Sequence, residues 1–383
     1  MKGLCGLDID RDKIYVSLAH LKGANPTFLQ EFNIDISSVK KTFLEVLQEN
    51  GNAINQKISE KEKVFSLAVE KIFVNLPWDV CKQGTYSATV PFNKRKKITQ
   101  KDINFAKKYL QDTYLDWDDF CIHNFILNYE IEGKVYDKPP LGVIAKKIKI
   151  SSILVWIKDK FRKDLEDIFD NMERSLGGCI FLPVAAIASI FPSLNSVSDS
   201  CVIVDVAYDK TLAIAIKNKK ILSIKESNFS LRQIFEELEK KILLPGALAQ
   251  EVFNRYISFK ELSYSKEVSI KNDGNYVNLS TQAANSFVKD YIKNAINQVI
   301  ESISVGLNSD YTIYFTGRLN GKEGFCDFAK EILSHPVVAS SATKCISKSF
   351  GVLSYGVTRF LDNDYMCRNS FLNRIMNVYK EYF

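Results

Sequence analysis

The segment Leu7–Ala19, LDIDRDKIYVSLA, is repeated in outline by Val204–Ile216, VDVAYDKTLAIAI. In each copy an apolar run reaches an aspartate, Asp8 or Asp205, and a polar stretch ending in Asp-Lys leads into a second apolar run. Two apolar runs joined by a short polar stretch are typical of a β-hairpin. The copies lie 197 positions apart (205 − 8), so the pattern predicts a duplicated fold with one hairpin opening each half.

Each predicted hairpin directs carboxylates and backbone amides towards its tip. If the two halves face a common cleft, Asp8 and Asp205 could hold a hydrated Mg²⁺ ion through water and orient an attacking water at a polyphosphate. The simpler alternative is that each aspartate only accepts hydrogen bonds from turn amides at a strand end. The repetition favours the first interpretation and makes these two residues the candidate catalytic and metal-binding pair.

Composition narrows the class of protein. The chain has 383 residues, of which 46% are hydrophobic and 25% are charged, as expected for an ordinary globular protein with two domains or one bilobed body. Its 51 basic and 45 acidic residues are spread along the chain, so the net charge of +6 does not indicate a nucleic-acid partner. The densest basic run, Lys94–Lys97, is interpreted as a solvated loop or as a docking site for an acidic partner or lipid.

Cysteine and histidine usage argues against disulfides and zinc. The eight cysteines include no CxxC pair, and Cys201 lies in an apolar run that predicts a buried thiol. The three histidines are far apart, so no zinc motif can be drawn. These features predict a reducing, cytosolic compartment. We expect neither a signal peptide nor a spanning helix, which would need about 18 apolar residues.

The hydrophobic pattern predicts two βββαβ units. The first consists of the hairpin, strand Thr27–Ile34, helix Ser38–Glu49 and strand Lys71–Leu76. The second consists of the hairpin, strand Lys220–Glu226, helix Leu231–Ile242 and strand Thr312–Thr316.

Further elements interrupt and connect these units. An α+β insert follows Trp78 and contains a helix capped by Thr99. An amphipathic helix Ile157–Leu176 is predicted next, with Gly177–Gly178 as its C-terminal stop. The second unit is predicted to carry helices Leu248–Tyr256 and Thr281–Ser304, separated by a loose stretch up to Asn278.

A third segment, TIYFTGRLNGKEGF at Thr312–Phe325, combines a strand with Thr316-Gly317 and two further glycines before a predicted helix. Glycine at a strand-to-helix turn lets a ligand approach the backbone, and the helix N-terminus favours a phosphate or a ring above it. By itself this signal is weak, but it follows two hairpins of the phosphate-binding type.

With these three segments the chain resembles the actin-like ATPase superfamily, with the hairpins as its phosphate segments and Thr316-Gly317 as its adenosine segment. Within the superfamily it most resembles FtsA, the bacterial division actin homologue, with PilM-like proteins next. The run ITQKDINFAKKYL is similar to a helix of the insert typical of FtsA. The resemblance covers nearly the whole chain. It implies an α/β, actin-like (ribonuclease H-like) fold: a duplicated βββαβ two-lobe architecture with inserted subdomains.

The resemblance also implies the domain boundaries. They are 1–77 for the first lobe (1A), 78–156 for the inserted α+β subdomain (1C-like), 157–200 for return helices, 201–245 and 305–361 for the second lobe (2A), 246–304 for its insertion (2B-like), 362–370 for a linker and 371–383 for an amphipathic helix.

Mg-ATP is the cofactor that the resemblance implies. The nucleotide-binding residues carried over are Asp10, Arg11, Asp12, Lys13, Ala207, Tyr208, Asp209, Lys210, Thr211, Gln250, Phe253, Thr316, Gly317, Arg318 and Asn320. FtsA proteins usually have glycine in place of Asp10 and of Arg318, a glycine-rich turn in place of 207–209, and glutamate and lysine where this chain has Gln250 and Phe253. Because carboxylates repel phosphates unless a cation intervenes, we expect weak or purely structural ATP binding and at most weak hydrolysis.

The segment Phe371–Phe383, FLNRIMNVYKEYF, predicts a helix with an apolar face and a polar face. Such a helix either packs on its own core or lies in a membrane interface. The resemblance favours the membrane, because FtsA proteins end in a membrane-targeting helix. The candidate membrane residues are Phe371, Leu372, Arg374, Ile375, Met376, Val378, Tyr379, Lys380, Tyr382 and Phe383.

The function that the resemblance implies is that of a scaffold at the cytoplasmic face of the bacterial inner membrane. Such a protein tethers filaments of the tubulin-like protein FtsZ to membrane lipid, binds other divisome proteins and self-associates into filaments, without nucleic acid. Two alternatives stay open. One is a PilM-like or other actin-superfamily ATPase that acts in assembly of a membrane machine, and the other is a paralogue that kept the shape and lost both nucleotide and FtsZ.

Overall fold

A computed structural model describes residues 2–10, 13–22, 25–36, 41–191, 199–218, 220–243, 245–260, 267–272, 275–339, 349 and 351–353. The predicted nucleotide contacts Arg11 and Asp12, the linker 362–370 and the amphipathic helix Phe371–Phe383 lie outside these residues. Among the described residues, no helix combines the length and the apolar character that crossing a bilayer requires.

Strands and helices alternate along the chain. Strands β1–β9 are Lys2–Asp10, Lys13–Lys22, Asn25–Asp35, Ala68–Leu76, Lys82–Lys97, Asp119–Ile131, Lys134–Tyr136, Ile144–Lys158 and Leu176–Phe181. Strands β10–β16 are Ser200–Val206, Thr211–Lys217, Lys220–Ser227, Glu267–Asn272, Asn275–Ser280, Thr312–Gly317 and Val337–Ala339. Helices α1–α8 are Phe43–Phe65, Gln100–Tyr114, Asp159–Asn171, Leu182–Ile190, Leu231–Ile242, Gly246–Tyr256, Thr281–Ile303 and Phe325–Ile332. Short 3₁₀ helices are Trp78–Val80 and Leu319–Gly321.

The described chain divides into two compact units. The first consists of the described residues of 1–9, 16–184 and 352–383, and the second of those of 10–15 and 185–351. The tip of the first hairpin is therefore counted with the second unit.

Two five-stranded sheets have the same topology, which confirms the duplication predicted from the repeat. The first has the order β3-β2-β1-β4-β9 and the second β12-β11-β10-β15-β16. In the first sheet β1 runs parallel to β4, and β4 parallel to β9. In the second, β10 runs parallel to β15 and β15 parallel to β16, while β10 and β11 form an antiparallel hairpin.

Helix α1 shows how local sequence sets an element's start. Thr42 and Glu45 form a capping box, in which the Glu45 amide donates to Thr42 Oγ1 over 3.4 Å and the Thr42 amide donates to Glu45 Oε2 over 2.7 Å. The helix ends before Ser66, which adopts a left-handed conformation. The predicted helix Ser38–Glu49 therefore begins too early and ends too early, because the cap lies at Thr42 and Gly51 does not break the helix.

The inserted elements form a separate sheet with the order β5-β8-β6-β7. Helix α2 starts at the predicted cap, where the Asp102 amide donates to Thr99 Oγ1. It packs its buried face on the sheet in a core that includes Val90, Ile103, Leu110 and Ile148. The basic run Lys94–Lys97 was expected to be a loop but is the end of β5, where pairing with β8 resumes at Lys96 after an irregularity that follows Pro91.

The predicted helix Ile157–Leu176 is wrong at both ends, and Gly177–Gly178 is not a helix stop. Ile157 belongs to β8, and both glycines belong to β9 beside β4. A Cβ atom on Gly177 would lie 2.8 Å from the ring of Phe73, so this glycine makes room for an aromatic side chain in the neighbouring strand. Close packing between strands, rather than helix termination, explains the residue.

The stretch before Asn278 was predicted to be loose but contains the hairpin of β13 and β14. Its sequence alternates apolar and polar residues around Asp273-Gly274, a dipeptide typical of tight hairpin turns. Serine and lysine dominate the surrounding composition and obscure this hairpin signal.

Candidate functional site

Asp8 lies near the end of β1 and is buried. Its Oδ1 accepts a hydrogen bond of 2.6 Å from Nδ2 of Asn75, which lies on the adjacent parallel strand β4. The register pairs Leu7 with Val74, so Asp8 and Asn75 occupy successive positions of neighbouring strands. The carboxylate is thus held in one orientation at the carboxyl end of the sheet.

Asp205 occupies the equivalent position of the second sheet and is also buried. It lies opposite Thr316 of β15 in the parallel pairing. Gly317 follows with φ of 80°, and a Cβ atom there would lie 2.5 Å from Asp205 Oδ1 and 2.6 Å from the Val206 carbonyl oxygen. Glycine is required at this turn both for its backbone conformation and for the close approach of the Asp205 carboxylate.

The two sheets match beyond the hairpins themselves. Leu7 pairs with Val74 and Val204 pairs with Phe315, so Asn75 in the first sheet corresponds to Thr316 in the second. Asn75 is not among the site residues predicted from the sequence. Extending the repeat to the apolar run before Pro77 would have found it, because Asn75 is the polar residue that interrupts that run.

The turn between β10 and β11 consists of Ala207, Tyr208, Asp209 and Lys210. Two of its backbone carbonyls accept hydrogen bonds from amides at the N-terminus of helix α5. The Leu231 amide donates to the Ala207 carbonyl over 3.2 Å, and the Arg232 amide donates to the Tyr208 carbonyl over 2.9 Å. Ser230 accepts from the Gln233 amide. The first-turn amides that could bind a phosphate therefore already have protein partners.

The charges of this turn are also engaged. Lys210 Nζ lies 2.7 Å from Glu226 Oε2, and Arg232 Nε lies 3.5 Å from Asp209 Oδ1. Thr211, at the start of β11, is fully buried. Lys13, the equivalent of Lys210 in the first hairpin, is partly exposed at the start of β2.

Arg318 and Asp10, both in the second unit, form an ion pair. Arg318 Nε donates to Asp10 Oδ2 over 2.7 Å, and only 17% and 15% of the two side chains are exposed. The Arg318 guanidinium lies 5.7 Å from the centre of the Tyr208 ring, and its backbone amide donates to the Val206 carbonyl over 3.1 Å. The two residues that depart from glycine in the expected motifs thus neutralise each other.

The remaining predicted contacts lie around α6 and the 3₁₀ helix Leu319–Gly321. Phe253 is buried and packs edge-on against Phe235 with ring centres 5.3 Å apart. Lys322 Nζ donates to the Phe253 carbonyl over 3.1 Å and to the Asn254 carbonyl over 3.2 Å, and burial lowers the pKa of its ammonium group. Asn320 Oδ1 accepts from Cys326 Sγ over 3.0 Å, and Gln250 is half-buried on α6.

The second hairpin, taken by itself, does not suit a polyphosphate. The Asp205 carboxylate there is of the kind that a hydrated Mg²⁺ ion prefers as a ligand. A polyphosphate at the second hairpin would have to displace the partners of the α5 amides, and the adjacent cations Lys210 and Arg318 already pair with carboxylates. The described arrangement therefore does not provide a ready phosphate cradle.

Comparison with known proteins gives matches at the level of the fold. No protein-family model matches the chain. No curated protein matches it by sequence. Among solved structures, a chain of the PilM-PilN type IV pilus biogenesis complex matches with a TM-score of 0.56 at 12% identity, over 92% of this chain and 97% of that chain. The ethanolamine utilization protein EutJ from Carboxydothermus hydrogenoformans matches with a TM-score of 0.52 at 10% identity, over 92% and 89% of the two chains.

MreB 5 of Spiroplasma citri, in a structure bound to AMPPNP, matches with a TM-score of 0.52 at 10% identity, over 95% of this chain and 99% of that chain. At these identities the matches establish the fold and nothing finer. The chain has the α/β fold of the actin-like ATPases over nearly its whole length.

Proposed function

We propose that this chain is an actin-like scaffold of the FtsA type that binds ATP weakly or only structurally. The fold supports the actin-like part of this proposal. The observation that carries its nucleotide part is the ion pair between Arg318 and Asp10, which occupies two of the positions expected to face nucleotide. A protein that works by ATP turnover needs cations free to bind phosphates, whereas here Asp10 pairs with Arg318.

The hydrogen-bond and ion-pair partners of the second hairpin also support weak nucleotide binding. The α5 amides donate to the turn, and Lys210 pairs with Glu226. Asp8 and Asp205 remain the proposed metal-binding and catalytic carboxylates, acting through water if Mg²⁺ binds. The proposed contribution of Mg-ATP is to stabilise the body rather than to drive a cycle.

In this proposal the protein lies at the cytoplasmic face of the bacterial inner membrane, tethers FtsZ filaments and recruits other divisome proteins. The segment Phe371–Phe383 supplies the membrane anchor, and 362–370 links it to the body. The named subdomains 1A, 1C-like, 2A and 2B-like belong to the same proposal, as does self-association into filaments. No nucleic acid takes part.

Calorimetric titration with Mg-ATP, combined with a phosphate-release assay, tests the nucleotide part. We expect weak binding and no release above the protein-free blank. Magnesium-dependent turnover that disappears in Asp205→Asn would contradict the scaffold and favour the alternative of an assembly ATPase, PilM-like or otherwise. Asp112→Asn, on the exposed face of α2, is the matched control for loss of one carboxylate.

Co-sedimentation tests the partner part. FtsZ polymers are mixed with the full chain and with a variant lacking Phe371–Phe383, with and without lipid vesicles. We expect both proteins to pellet with FtsZ, and the full chain to carry more FtsZ into the vesicle fraction than the shortened variant does. Absence of the full chain from FtsZ pellets would end the FtsZ assignment, and equal vesicle recovery of both proteins would end the anchor assignment.

A further inference from the structure

One end of the inserted sheet concentrates positive charge. Strand register brings the end of β5 beside the start of β8, with Lys97 opposite Ile144. The turn between β6 and β7 joins this end because Arg95 forms an ion pair with Glu132. The loop before β8 closes it, since the Gly142 amide donates to the Ile98 carbonyl over 2.9 Å. We call this end, residues 92–98, 130–138 and 139–149 with Asp102, the basic tip.

The basic tip has a large excess of lysine. Its cations are Lys94, Arg95, Lys96, Lys97, Lys134, Lys138, Lys146, Lys147 and Lys149, and its carboxylates are Asp102, Glu130, Glu132 and Asp137. Nine cations and four carboxylates give +5, against +6 for the whole chain. Three of the carboxylates pair within the tip, in Lys96–Asp102, Arg95–Glu132 and Lys149–Glu130. The six lysines outside these pairs are all exposed.

Three large aliphatic side chains lie exposed among these lysines. Val135 is 59% exposed, Leu141 53% and Ile144 55%. Val135 follows Lys134 directly, and Ile144 lies opposite Lys97. The basic tip therefore presents exposed aliphatic side chains together with exposed lysines.

The opposite end of the same subdomain is acidic. Carboxylate oxygens of Asp116, Asp118 and Asp119 lie within 4.8 Å of one another there. Lys158 pairs with the last two, and Lys82 lies at the same end of the sheet, so the negative charge is partly offset. The subdomain therefore has a positive end and a negative end. Such a separation orients the subdomain with its positive end towards an anionic surface.

We propose that the basic tip docks on the surface of a bilayer that contains anionic lipids. Exposed lysines are attracted to the negative surface potential, and Val135, Leu141 and Ile144 insert at the boundary between headgroups and acyl chains. This contact is independent of Phe371–Phe383 and does not rest on FtsZ or nucleotide binding.

The side-chain chemistry favours lipid over nucleic acid. The tip has one arginine, Arg95, and its guanidinium group, the side chain suited to bidentate phosphate binding, pairs with Glu132. Its aromatic residues are half-buried, with Lys96 lying 4.6 Å from the ring centre of Phe92 and Lys134 5.3 Å from that of Tyr136. Single-stranded nucleic acid needs exposed aromatic faces for base stacking, whereas aliphatic residues suit an acyl boundary.

The test is flotation of the full chain with vesicles of phosphatidylcholine alone and of phosphatidylcholine mixed with phosphatidylglycerol. The tip variant combines Lys94→Glu, Lys97→Glu, Lys146→Glu and Lys147→Glu, all at exposed positions. The control reverses the same number of exposed lysines elsewhere, with Lys57→Glu, Lys63→Glu, Lys82→Glu and Lys108→Glu. Thermal melting and circular dichroism check that both variants fold.

We expect the full chain to prefer the anionic vesicles and to lose that preference in high salt. The tip variant should bind the anionic vesicles at least about tenfold more weakly than the control variant, because each lysine near such a surface contributes appreciably to the attraction. Leu141→Ser with Ile144→Ser should weaken binding while leaving its salt dependence unchanged. Equal binding by the tip and control variants, or no preference for anionic vesicles in the full chain, would overturn the proposal.

Two further measurements separate the alternatives. Deletion of Phe371–Phe383 should lower binding to both kinds of vesicle but leave the preference for anionic lipid, so failure of the proposed anchor and failure of the tip give different results. An oligonucleotide that displaces the full chain from anionic vesicles, and whose binding the tip variant loses, would reassign the surface to nucleic acid and refute the lipid proposal.

Discussion

Arg318 and Asp10 lie 308 positions apart in the sequence, and the structure joins Arg318 Nε to Asp10 Oδ2 at 2.7 Å. The resemblance to FtsA leads one to expect glycine at both positions. The aspartate alone would repel a phosphate, and its pairing with Arg318 withholds from phosphate the cation that could bind it. Together they form a neutral pair that is largely removed from solvent.

The first prediction concerns the strength of this pair. Asp10→Asn and Arg318→Gln should each lower the free energy of unfolding by about 2 kcal/mol, because each leaves a largely buried charge without its opposite. The double variant should lose less than the sum of the two. A double-mutant cycle from urea denaturation measures the coupling energy, and a value near zero would mean that the pair does not contribute to stability.

The second prediction is that Asp10→Asn strengthens Mg-ATP binding. The substitution removes a carboxylate that repels phosphate and releases Arg318 to bind it. We expect an increase of about tenfold in affinity, which corresponds to about 1.4 kcal/mol. Calorimetric titration measures the change, with Asp112→Asn as the control. An unaltered dissociation constant in Asp10→Asn would mean that the ion pair does not lie at a nucleotide site.

The third prediction concerns Gly317. Gly317→Ala should destabilise the protein by about 3 kcal/mol, because the new methyl group would meet the Asp205 carboxylate and the Val206 carbonyl in addition to the cost of a left-handed backbone. Gly133 has nearly the same conformation, with φ of 81° against 80° for Gly317, and no atom within 4 Å of a Cβ placed there. Gly133→Ala should therefore cost only about 1 kcal/mol. Equal losses in urea denaturation would show that Asp205 does not restrict this position.

The fourth prediction is a pH dependence in the first unit. Burial alone would raise the pKa of Glu62, but hydrogen bonds from Arg174 and from the Val69 amide outweigh it and hold the pKa below its usual 4.5. The contribution of a carboxyl with a lowered pKa is complete above 4.5 and disappears as the pH falls through its folded value. The free energy of unfolding, measured by urea denaturation, should therefore decrease as the pH is lowered below 4.5.

Glu62→Gln is the control for this titration. It should lower stability by about 2 kcal/mol at neutral pH, because Arg174 loses its carboxylate partner while keeping Asn55 and Ser59. It should also flatten the pH dependence below 4.5. A variant curve parallel to that of the original protein would assign the acid sensitivity to other carboxyls.

The fifth prediction concerns buried thiols. Cys5 and Cys201 are fully buried, and burial raises the pKa of the Cys201 thiol to about 12 and that of Cys5 further still. Since the thiolate is the reactive form, neither residue should react with a disulfide reagent in the folded protein at about pH 8. Peptide mapping after labelling identifies the sites, and urea should expose both. Labelling of Cys201 at the unfolded rate would contradict its burial.

Much of the fold could be predicted because its signals are local. The repeated hairpins, the cap at Thr99 and the bounds of helix Leu231–Ile242 all follow from residues within a few positions of one another. Such patterns depend on backbone hydrogen bonding and on which face of an element is apolar. The errors arose where packing overrode local preference, as at Gly177, whose position is set by the Phe73 ring in another strand.

The candidate site could be predicted only as a set of positions. The repeat selected Asp8 and Asp205, and the strand-to-helix glycine motif selected Gly317. Neither pattern showed that Asn75 holds Asp8 or that Glu226 neutralises Lys210. These partners come from different strands, and their separation along the chain carries no pattern. Only the register of the parallel and antiparallel pairs shows which side chains meet.

The amino-acid sequence by itself determined that the chain duplicates a strand–hairpin unit, where its capped helices begin and which residues stand at the hairpin turns. Tertiary structure decided what those residues do: Asp10 faces Arg318, the α5 amides bind the turn at 207–208, and the lysines of the insert gather at one end of its sheet. The physical reason is the distance along the chain over which each kind of interaction acts. Propensity and capping act over one or two turns of chain, whereas the energy of a charge depends on neighbours that folding brings from anywhere in the sequence.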